Sequence, residues 1–142
     1  FMELETKDVN LQDNEGMTAL MFAALYSKRY STERTVEILL KEYYLENQFV
    51  EKGQPNIQYL ANNCNLSASY LSDLLAKETG RSAKEHINDF LIEKSKHLLL
   101  SSTDSISGIT YTLGFNYPHY FSRLFKQKTG FTPNKYRELN MN

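Results

Sequence analysis

The sequence predicts an all-α fold: two helix-turn-helix units joined by a long central helix, with a short helical N-terminal appendage. The first reason is an internal repeat. Ile57-Gln58-Tyr59-Leu60-Ala61 leads through Leu66-Ser67 to Tyr70-Leu71-Ser72-Asp73-Leu74-Leu75 and closes on Thr79-Gly80-Arg81-Ser82. Ile106-Ser107-Gly108-Ile109-Thr110 leads through Phe115-Asn116 to Tyr120-Phe121-Ser122-Arg123-Leu124-Phe125 and closes on Thr129-Gly130-Phe131-Thr132. The offset is 49 and becomes 50 after one extra residue, so one supersecondary unit is used twice. The second reason is helical periodicity within each copy, with Tyr70, Leu71, Leu74, Leu75 and then Tyr120, Phe121, Leu124, Phe125 as apolar stripes. The third is shared punctuation. Gly80 and Gly130 suit a left-handed helix end, and Ser82 and Thr132 suit the cap of the next helix. Short helix, tight turn, second helix is the layout that sets its second helix in a DNA major groove.

Taken in order, residues 1–34 differ in kind from the rest. Asp8 to Ala24 resembles the start of an ankyrin repeat, with Thr18-Ala19-Leu20-Met21-Phe22-Ala23 at its centre. Such a segment makes protein contacts, and one repeat alone cannot bury its apolar face. Residues 35–142 form the tandem domain. A packing helix is expected from Thr35 to about Val50, apolar at Val36, Leu39, Leu40, Tyr43 and Tyr44, and broken by Gly53-Gln54-Pro55. Helices at about 57–63 and 68–79 make the first unit. Ser82 to Leu100 is a long helix with Ile87, Phe90, Leu91, Lys94 and Leu98 along one side, and Ser82-Ala83-Lys84-Glu85 has capping-box spacing. Helices near 105–112, 117–129 and 133–140 complete the second unit, Pro133 fitting a first helical position.

Composition narrows the class. At 142 residues, 41% of them hydrophobic, with 10 Tyr and 8 Phe, the chain can bury a core as one small domain plus an appendage. No apolar run reaches the ~20 residues of a membrane span and nothing resembles a signal peptide, so a cytoplasmic protein with no membrane partner is expected. The single Cys64 leaves no internal disulfide and no cysteine-based zinc site. Net charge is −1, but it is unevenly spread. Residues 105–142 hold Arg123, Lys126, Lys128, Lys135 and Arg137 against Glu138, a net of +4. Residues 57–104 hold five basic and six acidic side chains, a net of −1. The second unit is therefore the electrostatic anchor. The modest total points to modest affinity for one copy, and so to a dimer or a neighbouring regulator.

The run Leu113-Gly114-Phe115-Asn116-Tyr117-Pro118-His119-Tyr120-Phe121-Ser122-Arg123-Leu124-Phe125-Lys126, continued through Thr129-Gly130-Phe131-Thr132-Pro133, resembles the DNA-binding domain of the AraC/XylS family of bacterial transcription regulators. Asn65-Leu66-Ser67-Ala68-Ser69-Tyr70-Leu71-Ser72 and Lys77-Glu78-Thr79-Gly80 carry the resemblance into the first half, so that it covers roughly residues 36–139. Where the family usually has an acidic residue and an alanine, this chain has Gly108 and Thr110. Glycine inside a helix costs about 1 kcal/mol relative to alanine, so a less rigid helix is expected there. The resemblance implies two recognition helices, 68–79 and 117–129, in successive major-groove segments of double-stranded DNA. Position by position it implies Ser69, Ser72 and Asp73 in the first, and Pro118, His119, Ser122 and Arg123 in the second, with Lys77 and Lys126 on phosphates. It also implies the transcription machinery as a partner, and a sensing or dimerising domain apart from this one.

Arginine suits a bidentate contact with guanine, and aspartate can accept from cytosine N4. Asp73 has a second reading as the partner of Lys77 one turn on. The histidines divide similarly: His86 reads as core, His97 as a solvated face, and His119 as base contact or mere exposure. Tyr43, Tyr70, Tyr120 and Tyr136 fall on apolar stripes and read as core. No histidine pair has metal spacing, Gly80-Arg81-Ser82 lacks a phosphate loop's lysine and strand, and no nucleophile–base arrangement is present. No cofactor, metal or enzymatic activity is expected. The alternative, from another class, is a protein-interaction module built on the ankyrin-like segment and the acidic first unit, which steep salt dependence would exclude.

Overall fold

In the computed structural model, which describes residues 31–141, the caps written in the sequence set most helix ends. In chain order the helices are α1 (Thr32–Leu45), α2 (Phe49–Lys52), α3 (Ile57–Asn63), α4 (Ala68–Thr79), α5 (Ala83–Ser101), α6 (Ile106–Thr112), α7 (Pro118–Thr129) and α8 (Pro133–Asn140). Every regular element among the described residues is helical, as expected. Asn56, Ser67, Ser105 and Thr132 each accept a hydrogen bond from the backbone N–H three residues on. Ser82 and Glu85 close a reciprocal capping box ahead of α5. Gly80 and Gly130 end α4 and α7 in the left-handed conformation, at φ 74° and 86°. The helix around Gly108 forms, because the Ser105 hydroxyl holds the Gly108 N–H at 3.0 Å and Thr110 is fully buried.

Three expectations need correction. The packing helix does not run from Thr35 to Val50. It starts at Thr32, ends at Leu45, and is followed by the separate turn α2. The stop is a Schellman motif without glycine: Asn47 takes φ 58°, its N–H reaches Tyr44 O, and the Gln48 N–H reaches Tyr43 O. The buried side of α5 is also displaced from the expected stripe. Ile87 and Leu91 are buried, but Phe90, Lys94 and Leu98 are half-buried, and the row continues through Ser95 and Leu99 with Ile92 beside it. Ser95 is tolerated there because its hydroxyl donates to Ile92 O at 2.7 Å. Finally, Tyr70 and Tyr120 are not core residues. They are 53% and 42% exposed. The ankyrin-like segment lies outside the described residues, apart from its last few positions at the start of α1.

The helices gather into two compact units. Among the described residues, the first takes residues 31–42 together with Pro55–His86. Its core is Val36, Leu39 and Leu40 of α1 with Leu60, Ala61, Cys64, Leu71, Leu75 and Ala83. Burial pushes the Cys64 thiol up to about 11, which leaves it unreactive. The Thr32 hydroxyl donates to Glu78, tying the start of α1 to the end of α4. His86 is buried as expected. The Thr79 hydroxyl donates to Leu75 O at 2.7 Å, which assigns Nε2–H of His86 as the donor to Thr79 Oγ1 at 2.9 Å.

The second unit takes Tyr43–Gln54 and, among the described residues, residues 87–141. Phe115, Phe121 and Phe125 form an aromatic row with ring centroids 5.3 and 5.8 Å apart, closed edge-on by Tyr136. The segment from Tyr43 to Gln54 straps onto the turn between α6 and α7. Tyr44 donates through its hydroxyl to Leu113 O at 2.7 Å, and Tyr43 likewise to Gly53 O. Tyr44 also stacks on Phe49, and the Lys94 amine sits 5.3 Å over its ring. At the crossing, the backbone of Gly114 passes so close to Gly53 that a Cβ on Gly114 would stand 3.0 Å from Gly53 C and Gln54 N.

Candidate nucleic-acid interface

Both units build the same turn before their second helix. In the first, the Leu66 N–H reaches Ala61 O and Asn65 takes φ 55°; in the second, the Phe115 N–H reaches Thr110 O and Gly114 takes φ 86°. Each is a Schellman stop, which turns the chain sharply and aims the next helix. That helix then buries one stripe and exposes the other. Leu71 and Leu75 anchor α4, while Phe121, Leu124 and Phe125 anchor α7.

The opposite faces hold the residues singled out by sequence. On α4, Ser69, Asp73 and Lys77 are exposed and Ser72 is half-buried. On α7, His119, Arg123 and Lys126 are exposed, and Pro118, at the first helical position, and Ser122 are half-buried at the edge. Each group therefore shares one accessible face within its own unit. The Asp73–Lys77 ion pair does not form among the described residues, so both charges are left to solvent. Tyr70 and Tyr120 join these faces, a placement that sequence reasoning missed. The signal was available in their adjacency to Ser69 and His119, but the apolar count assigned them to the stripe.

The excess of +4 in the second unit is only partly available. Lys128 is paired with Asp89 at 2.9 Å and Lys135 with Glu138 at 3.2 Å. Arg137 donates to Leu99 O and Ser102 O, fastening α8 to the end of α5. Arg123 and Lys126 remain on α7 with no ion-pair partner among the described residues. Among the same residues, no group of three or more His, Cys, Asp or Glu is placed to hold a metal, and no helix is long and apolar enough to cross a membrane.

The comparisons with known proteins agree with this geometry. The family described as helix-turn-helix domain matches residues 60–139. The chain is 31% identical over 94 residues to an HTH-type transcriptional regulator of the cgkA 5' region in Pseudoalteromonas carrageenovora, covering 66% of this chain and 54% of that protein. It is 30% identical over 95 residues to the HTH-type transcriptional activator RhaS of Escherichia fergusonii, covering 67% of this chain and 34% of that protein. This chain thus spans about half of the first relative's length and about a third of the second's. Among solved structures, the C-terminal domain of AraT, a response regulator from Geobacillus stearothermophilus, superposes with a TM-score of 0.65 at 28% identity, over 80% of this chain and 88% of that one. The C-terminal domain of the two-component response regulator yesN from Fusobacterium nucleatum gives 0.55 at 30% identity, over 68% and 96%. These matches favour DNA binding by residues 60–139 over the protein-interaction alternative. The chain belongs to the helix-turn-helix domain family, and its residues 60–139 are a DNA-binding domain of the AraC type.

Proposed function

We propose that this chain regulates transcription by sequence-specific binding of double-stranded DNA, with α4 and α7 in successive major-groove segments. The observation that carries this reading is the pair of repeat-related helices, each with a polar face held outward by a buried stripe, the second bearing Arg123 and Lys126 with no ion-pair partner among the described residues. Arg123 reads guanine, Lys126 and Lys77 contact phosphates, and His119, Ser122 and Pro118 line the base edges beside Arg123. Ser69 and Ser72 flank Asp73, which accepts from a cytosine amine. The tandem domain extends over residues 35–142, its first helix reaching back to Thr32. The similarity to RhaS, a transcriptional activator, and to the C-terminal domains of the response regulators AraT and yesN supports a role as the DNA-binding part of a regulator that acts on the transcription machinery. On this reading the domain pairs with a sensing or dimerising part and works in the cytoplasm. Selection of bound sites from random duplex DNA tests this. Enrichment of an asymmetric two-part motif is expected, and recovery of unenriched sequence would overturn it.

A further inference from the structure

We propose that Tyr70 and Tyr120 are a repeated pair of phosphate contacts, each hydroxyl donating to the DNA backbone on the same flank of its helix; this rests on the DNA-binding reading above. The two occupy equivalent positions of the repeat, 50 apart, three residues ahead of Asp73 and Arg123. Tyr43 and Tyr44 show what this chain does with buried tyrosines: each of their hydroxyls bonds a backbone carbonyl at 2.7 Å. No described group bonds the hydroxyl of Tyr70 or Tyr120, and both residues are exposed to solvent. The Tyr120 ring leans on the buried Phe115, centroids 6.0 Å apart, which restricts it to a stiff arm with the hydroxyl at its tip.

Helix geometry supplies the direction. At about 100° per residue, Tyr120 lies about 60° to one side of Arg123, whereas Lys126 lies about 60° and His119 about 40° to the other. With Arg123 toward the base edges, Lys126 and Tyr120 face opposite walls of the groove, and those walls are lined with phosphates. On α4 the same count puts Tyr70 and Lys77 together on one flank of Asp73, with Ser69 and Ala76 on the other. α4 itself therefore carries no cation on the flank where α7 has Lys126, and its own grip depends on the wall that Tyr70 and Lys77 face. A phenol is neutral but donates a charge-assisted bond to a phosphate oxygen, adding affinity without counterion release.

The test uses the whole chain, a selected duplex and a scrambled one, at two salt concentrations, with melting curves alongside. Tyr70→Phe and Tyr120→Phe keep the ring and remove the hydroxyl. Each is expected to weaken both duplexes about three- to tenfold, with the salt slope and melting temperature unchanged. A duplex with one neutral methylphosphonate should reproduce the loss in the wild type at a single position per tyrosine, and add nothing in the matching Phe variant. Phe variants of unchanged affinity beside Tyr→Ala variants that lose only the selected duplex would place the rings on bases and overturn the proposal. A Phe variant that lost stability in step with affinity would place the hydroxyl in the fold and overturn it too. A wild type that bound no duplex would sink the underlying DNA-binding reading, a result separable from both.

Discussion

Replacing Gly114 and Gly130 by alanine separates backbone strain from crowding, because both glycines have φ +86° and differ in their surroundings. At Gly130 a Cβ would meet nothing within 4 Å. Gly130→Ala should therefore cost only the left-handed penalty of an L residue, about 1–2 kcal/mol. At Gly114 the same penalty applies, and the new Cβ also stands 3.0 Å from Gly53 C and Gln54 N and 3.3 Å from Gly53 O. Those atoms are backbone, and they cannot withdraw freely. Tyr43 holds Gly53 O, and Tyr44 holds Leu113 O on the other side of the contact. Retreat breaks at least one such bond, worth about 1 kcal/mol net, and loosens the packing around Tyr44. Gly114→Ala is thus expected to cost about 3 kcal/mol or more, roughly 2 beyond Gly130→Ala. With a urea slope of about 1–3 kcal/mol/M, the two midpoints should differ by on the order of 1 M. Equal midpoints would refute the claim that the strap fixes the turn before α7.

Arg123→Ala should weaken specific binding by about 1–3 kcal/mol and relax one base position, read as a titration over single-base variants of the selected site. Lys126→Ala should weaken all sequences alike and lower the salt slope by about one; a changed base preference would remove it from phosphate. Asp73→Asn deletes a charge that repels phosphate, so binding should tighten on scrambled and specific DNA while discrimination in the first half-site falls. Because no Asp73–Lys77 pair forms among the described residues, stability should hold, and a lower melting temperature would contradict the orientation of α4. Burial, with Arg81 nearby and against the opposing pull of Glu33 and Glu85, pushes His86 below the ordinary imidazole value. The unfolded chain then takes the proton first, so stability is full above about pH 6.5 and declines as pH falls through the window below it, by at most about 1.4 kcal/mol per unit. Unfolding curves from pH 7.5 to 5, with His86→Asn as the flattened control, measure that slope.

The sequence by itself determined the helices and their ends. Period and caps are local: Ser67, Ser105 and Thr132 reach only three residues ahead, and Gly80 and Gly130 need only their own φ. The exposed faces of α4 and α7 were legible for the same reason, since Ser69, Asp73, His119 and Arg123 lie opposite apolar positions on one helix. Only the tertiary structure decided where an amphipathic side chain falls when it borders the stripe. Tyr70 and Tyr120 sit at its edge, and their exposure depends on which neighbouring elements reach over them. It also decided that α1 stops at Leu45, because Asn47 accepts a left-handed turn once Tyr43 and Tyr44 are drawn into the second unit's core. The available charge belongs to the same class. Lys128 and Arg137 count as cations in the sequence, but a lysine held by Asp89, or an arginine spent on the carbonyls of Leu99 and Ser102, is set by partners 35 or more residues away. Local periodicity carries no information about such distant partners; packing alone brings them into reach.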